Sequence, residues 1–237
     1  MDSDQVLAFR LARSGLAVRD ARDLAEAAAC PASDFASDAA LLALGARVEE
    51  LSREAYNRAV DAGELVVAHV VRGAIHALAP RDFGLYGRAL IASDERELAS
   101  QLGRQVERLI AENGIAASAA LEEVAKATRE ALSRGRALDK NELHEELRRR
   151  VRPGLMPWCR SCGSHHVAPM LWRYATVNAG VRLDSKRRYR LAERGRTPRP
   201  SEAVRRFLGF YGPAAPGDFA DWAGLATSHA QRLWDEV

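Results

Sequence analysis

A short valine-rich run that doubles back on itself, set between stretches of helical periodicity, constrains this chain more than any other feature. Residues 65–71 (LVVAHVV) are dense in valine, which packs well on a pleated surface and loses side-chain freedom in a helix. Arg72-Gly73 supplies a turn, and residues 74–78 can return as a second strand. Helical pattern surrounds this hairpin. Residues 3–14 place Val6, Leu7, Phe9 and Leu11 among their apolar positions, with Ser3 or Asp4 as N-cap and Gly15 as the stop. Further helices are expected over 18–29, 39–48 and 53–62, and from Pro80 to 88. Between the second and third lies a break, CPASDFASD from Cys30 to Asp38. Pro31 disfavours helical geometry before it there, and Ser and Asp compete for backbone hydrogen bonds.

The pattern then repeats. Residues 94–112 and 117–134 read as two long amphipathic helices, broken at 135–137. Asp139 caps a helix over 140–151, and Pro153, Gly154 and Pro157 mark a loop. A helix over 166–175 precedes two strands, 177–183 and 188–191, that pair across Asp184-Ser185-Lys186. A basic linker over 194–200 leads to three short helices, 201–211, 216–223 and one from Thr227, separated by glycine turns. Helices followed by a hairpin, twice over, predict a mainly α fold with small β-hairpins. The architecture expected is tandem winged-helix (helix-turn-helix) domains with the last incomplete: 1–92 a first winged helix, 93–193 a helical connector and second winged helix, and 194–237 a partial third. A third unit that stops where its hairpin should begin suggests a truncated chain.

The formal net charge is only +3, but it is unevenly spread. Acidic residues concentrate before Glu146, and the balance from Arg148 to Arg206 is strongly positive, which suits a polyanion on one side of the chain. Three cysteines, one far from the other two, make no disulfide framework. The start, Met1-Asp2-Ser3-Asp4, lacks a basic region followed by an apolar run, and no apolar stretch reaches bilayer length. The expected setting is cytoplasmic, and the Ala/Arg richness suggests a bacterial source. Oligomeric state is not legible.

Three stretches together carry a family resemblance. They are VAHVVRGAIH at 67–76, GVRL at 180–183, and FLGFYGPAAPGDFADWAGL at 207–225. The chain resembles the winged-helix DNA-binding family related to AlkZ- and YcaQ-type (AlkZ-like) alkylpurine DNA glycosylases over nearly its whole length. The Arg-Gly-x-x-His hairpin and the Gly-Pro-x-x-x-x-Asp-Phe-x-x-Trp stretch are the most telling parts. The resemblance implies tandem winged helices forming a basic cradle for double-stranded DNA. It also implies metal-free, hydrolytic release of alkylated purines, a DNA-repair activity with no cofactor. Family members usually run on for roughly another hundred residues. The family positions water at the sugar with a Gln-Φ-Gln or Gln-Φ-Asp motif. Here Ser33 falls at the first Gln and Phe35 at the second polar position, with Asp34 between them. Asp34, Ser33 and His76 are the residues best placed to replace the motif. The alternative is a non-catalytic winged-helix DNA-binding protein or regulator in which the motif is lost.

Other residues admit two readings each. Arg72, at the first hairpin's tip, can contact phosphate or the minor groove, or simply solvate a turn. His76 can be catalytic or a packed, hydrogen-bonded imidazole. Arg182, Lys186, Arg187, Arg188 and Arg190 cluster on the second hairpin, with Arg194, Arg196 and Arg199 following and Tyr189 interleaved for stacking. Such density points to salt-dependent phosphate contacts. Arg148, Arg149 and Arg150 read as the charged face of a helix. Cys159-x-x-Cys162-x-x-His165-His166 has zinc-ligand chemistry, with Cys159, Cys162 and His165 as the candidate ligands. It can also be a redox pair or two reduced thiols. Trp158, Trp172, Trp222 and Trp234 sit among apolar neighbours and are expected in the core.

Overall fold

The computed structural model of the chain describes residues 2–36, 38–193 and 195–237. Two compact units result: Met1–Leu90 joined by Gly195–Val237, and Ile91–Arg194 between them.

The first unit opens on α1 (Ser3–Arg13), capped by Asp2 rather than by Ser3 or Asp4. Asp2 Oδ1 accepts from Gln5 N at 2.8 Å and Gln5 Oε1 accepts from Asp2 N at 3.1 Å, a reciprocal box that satisfies two orphan donors. The helix expected over 18–29 forms only as α2 (Leu24–Ala27). Asp23 caps it, accepting from Glu26 N at 2.7 Å, and so sets a late start. The break that follows holds an element the sequence did not announce, β1 (Ala32–Ser33). α3 (Ala39–Gly45) and α4 (Arg53–Ala62) come next, the latter capped by Ser52 and stopped by Gly63 at φ +80°. The expected hairpin is present as β2 (Val66–His69) and β3 (Ile75–Leu78), antiparallel, with Val66 opposite Leu78 and His69 opposite Ile75. All four residues of β2 are buried. β1 adds to the other edge of β3, pairing Ala32 with Ala77 and Ser33 with His76. A 3₁₀ turn begun by Pro80 leads to α5 (Phe83–Tyr86).

In the second unit the helix expected over 94–112 is two helices, α6 (Glu95–Leu102) and α7 (Arg104–Glu112). They are broken at Gly103, whose φ of +83° is outside helical space. The core is α8 (Ala117–Ala131) laid against α10 (Pro169–Ala179). Alanines at 120, 127 and 131 on α8 are buried, so the two backbones approach closely. α9 (Lys140–Arg148) packs on α8 and buries Leu143, His144 and Leu147. A small hairpin, β4 (Trp158–Cys159) with β5 (Ser164–His165), occupies the expected loop. β6 (Val181–Leu183) and β7 (Tyr189–Leu191) form the second expected hairpin. Its first strand is shorter than the predicted 177–183. Val177 is 1% exposed in α10, so helix packing overrides its β-branched preference, and Gly180 caps the helix at φ +76°. Trp158 is a further correction. It is 56% exposed, with its ring edge-on to His165, because a two-residue strand has no second layer to bury it. Trp172 is buried as expected, between His144 and Tyr189.

The chain returns to the first unit as α11 (Ser201–Tyr211), α12 (Pro216–Ala223) and α13 (Thr227–Trp234). Phe207 gathers Tyr211, Phe219 and Trp222 at ring distances of 5.3–5.5 Å. Tyr86 meets Trp222 edge-on at 6.0 Å, which ties α12 to α5. Arg10 and Arg13 of α1 donate to the carbonyls of Pro213 and Gly209, at 3.1 and 3.0 Å. Among the described residues no helix is long and apolar enough to cross a membrane.

Candidate functional site

The β1–β3 pairing brings together two of the three residues singled out for chemistry, Ser33 and His76, while Asp34 follows on the buried side. Ser33 is exposed and lies opposite His76 in the ladder. The Asp34 backbone N–H donates to the Ile75 carbonyl at 2.8 Å, which continues the pairing past the strand end. Asp34 is 5% exposed, and its Oδ1 accepts from Ala40 N in the first turn of α3 at 3.3 Å. Phe35 turns outward and is 79% exposed. His76 is half-buried, and its Nδ1 is hydrogen-bonded to the Ala74 carbonyl at 3.1 Å. With Nδ1–H donating there, Nε2 keeps its lone pair. Burial holds this imidazole below its ordinary value, and Arg72 adds to that. The Ala74 bond and Asp34 act the other way.

Arg72 sits at the turn between β2 and β3 with φ +56°, an unusual conformation for a residue with a Cβ. The turn is tied by His69 Nδ1 to the Gly73 carbonyl at 2.9 Å. The exposed Arg72 side chain runs over the C-terminal end of α12, where a Cβ on Gly224 would come within 2.7 Å of its Cγ.

The β6–β7 hairpin presents five basic residues against one acid, Asp184. Arg182 and Arg190 face each other directly across the ladder. Like charges so placed repel. Asp184, 4% exposed, organises the turn: Oδ1 accepts from Lys186 N at 3.0 Å and Arg188 N at 2.9 Å, and Oδ2 accepts from Arg188 Nε at 3.1 Å. Arg190 lies 3.7 Å from the same carboxylate. Arg187, at φ +62°, completes a three-residue loop of the type that follows a turn with a left-handed residue. Lys186 and Arg187 are exposed at the tip. Tyr189 is buried against Trp172, which removes it as a stacking platform. Arg194 lies outside the described residues.

A second basic concentration lies in the first unit, where Arg196 and Arg199 of the expected basic linker meet arginines the sequence did not group with them. An open cavity of about 1100 Å³ is lined by Arg13, Arg196, Arg199, Arg205 and Arg206, with Glu202 and Glu236. Arg206 is committed to the buried Asp82, at 3.0 and 3.3 Å. Arg13 lies far in sequence from Arg205 and from the basic linker, so no local run joins it to them.

The β4–β5 hairpin gathers Cys159, Cys162 and His166, with donor atoms all within 4.8 Å of one another. The expected third member, His165, is not in this group. It lies in β5 with its Nδ1 bonded to the Met156 carbonyl at 2.9 Å, and neighbouring residues along a strand project to opposite sides. Hydrogen bonding with the Ser161 hydroxyl first, then with the Cys162 backbone, pulls the Cys159 thiol down to about 6. The third cysteine, Cys30, is buried beside the Tyr211 hydroxyl at 3.2 Å, and burial pushes its thiol up.

Three comparisons bear on this geometry. A family model described as "DNA glycosylase AlkZ-like" matches residues 17–237. Among curated proteins, none matches the chain. Among solved structures, the Streptomyces sahachiroi DNA glycosylase AlkZ is similar, with a TM-score of 0.66 and 20% sequence identity. The match covers 100% of this chain and 65% of that one. At this identity the likeness is one of fold.

Proposed function

This chain belongs to the AlkZ-like DNA glycosylase family, and from that premise we propose that it binds double-stranded DNA and releases alkylated bases by hydrolysis. The β6–β7 ribbon supplies phosphate contacts through Lys186 and Arg187 at its tip and through Arg182, Arg188 and Arg190 along its strands. The β2–β3 wing adds Arg72. Arg182 stands opposite Arg190 across the ladder, a like-charge concentration that suits a polyanion. In this reading, the first winged helix is 1–92 with β2–β3 as wing and the second is 93–193 with β6–β7 as wing. The partial third, from 194, is represented by α11–α13.

The observation that supports the chemistry is the register Ser33 opposite His76, an imidazole whose charged form burial disfavours, with Asp34 the next residue along the chain. Departure of an alkylated base leaves positive charge at the sugar C1′, so a nearby carboxylate both stabilises that centre and accepts a proton from the attacking water. Asp34 takes this role, and Ser33 and His76 orient the water. The water's oxygen bonds to C1′, its proton passes to the carboxylate, and the C–N bond breaks toward the base.

The second reading is a non-catalytic DNA-binding protein. Phe35 favours it, because an exposed phenyl ring stands where the resemblance places a polar side chain and cannot polarise water. Formation of abasic sites on methylated duplex DNA, read by alkaline strand cleavage, separates the two. The wild type should form them, and Asp34→Asn should reduce the rate by about 10²-fold or more. A wild type that forms none, while still shifting DNA in a gel, leaves the binding protein alone.

A further inference from the structure

The structure assigns a zinc-binding site to Cys159, Cys162 and His166 of the second unit. It stands apart from the DNA chemistry above, and neither depends on the other. The argument begins with the hairpin. β4 and β5 pair Trp158 with His165 and Cys159 with Ser164, so Cys159 ends the first strand and Cys162 lies in the tight turn that follows it. Gly163, at φ +59°, reverses the chain immediately after Cys162. A residue with a Cβ would strain there. This local path turns both thiols toward the same point, with the Ser161 hydroxyl 3.1 Å from one sulfur and 4.0 Å from the other.

His166 arrives from the segment that leads into α10. Its Nδ1 bonds to the Val167 carbonyl at 2.8 Å. A carbonyl accepts only, so Nδ1 carries the proton and Nε2 is left with its lone pair. That is the arrangement by which a backbone carbonyl fixes the tautomer and orientation of a metal-bound histidine. The three donor atoms lie within 4.8 Å of one another. In a tetrahedral site with zinc–sulfur bonds of about 2.3 Å, neighbouring sulfurs lie about 3.7 Å apart. Closing onto an ion therefore requires movements of about 1 Å or less. Two thiols and an imidazole select zinc over calcium or magnesium, which take oxygen ligands.

A second observation points to the same place. His144 of α9 is 8% exposed, and its Nδ1 has no hydrogen-bond partner among the described residues. Its ring centre is 5.3 Å from that of His166, and both line a cavity of about 450 Å³ together with Cys162 and Ser164. A buried ring nitrogen without a partner is costly unless something fills the space beside it. An ion on Cys159, Cys162 and His166 has one position left, for water or for His144. Bound there, zinc fastens the β4–β5 hairpin to the start of α10 beside α9, a staple for a loop that buries little apolar surface of its own. Binding releases the thiol protons, so it weakens as pH falls.

The test uses the whole chain purified under reducing conditions, with metal content, free thiols and a cobalt(II) spectrum measured together. One zinc per chain is expected. Cobalt exchanged for it should show sulfur-to-metal charge transfer and the intense visible bands of a tetrahedral ion. Cys159→Ser, Cys162→Ser and His166→Ala should each lose the zinc and the cobalt spectrum, while Cys30→Ser and His165→Ala keep both. Circular dichroism identifies any variant that fails to fold, and the remaining ligand variants then decide. Wild type with free thiols and no zinc or cobalt spectrum overturns the site. So does zinc retained by the Cys159→Ser/Cys162→Ser double variant, and so does a Cys159–Cys162 disulfide under reducing conditions.

Discussion

Asp184 offers the sharpest test of how the basic hairpin is held. Its carboxylate is 4% exposed and accepts from two backbone N–H groups of the turn, at 3.0 and 2.9 Å, and from Arg188 Nε at 3.1 Å. Asp184→Ala removes all three. The two backbone bonds are worth about 1 kcal/mol each, and the N–H groups lose their partners in a site with little water. The ion pair adds about 1 kcal/mol, discounted because the Arg188 side chain is 42% exposed. The expected loss is about 3 kcal/mol, or about 6–12 °C in melting temperature for a chain of this size. Asp184→Asn keeps an oxygen where Oδ1 stands, so both backbone bonds survive and the ion pair alone is lost, at about 1 kcal/mol. Urea unfolding followed by tryptophan fluorescence measures both. An Asn variant as damaged as the Ala variant would show that charge, rather than the turn bonds, does the stabilising. An Ala variant within about 0.5 kcal/mol of wild type would refute the whole account.

Three further outcomes follow from the same structure. Lys186→Ala with Arg187→Ala should reduce the slope of log K against log salt for duplex DNA by about 1.8, because each phosphate contact contributes about 0.9; an unchanged slope in a filter-binding titration removes the tip from the interface. Gly84→Ala should destabilise by about 1–3 kcal/mol in thermal unfolding, since the new Cβ would lie 2.4 Å from the Arg196 carbonyl oxygen and one backbone must shift. His76 is held below its ordinary value when folded, so the unfolded chain binds its proton first as pH falls. Its contribution is complete above about pH 6.5 and is lost as pH drops through the folded value. His76→Asn should flatten that part of the stability–pH curve, and an unaltered curve would show that the imidazole is not the group titrating.

The elements legible in the sequence were those written by local rules. The β2–β3 and β6–β7 hairpins follow from valine density and from the Asp-Ser-Lys turn, and α11–α13 from glycine punctuation. The β-branched Val177 misled because burial in α10, not propensity, decides its state. Trp158 misled because apolar neighbours in sequence do not supply a second layer in space. The candidate site divides in the same way. Residue types at Ser33, Asp34 and His76 are readable, but β1 is only two residues long, and its pairing with β3 is a contact between segments more than forty residues apart. No periodicity reports such a pairing.

Family, helical class and the concentration of positive charge were determined by the amino-acid sequence, because each depends on residue identity and near-neighbour spacing. Tertiary structure decided which imidazole joins Cys159 and Cys162, which arginines are tied to Asp184 or Asp82, and which distant arginines share a cleft. Those are questions of direction in space. A chain specifies them only once its backbone has folded and each side chain has a fixed side from which to point.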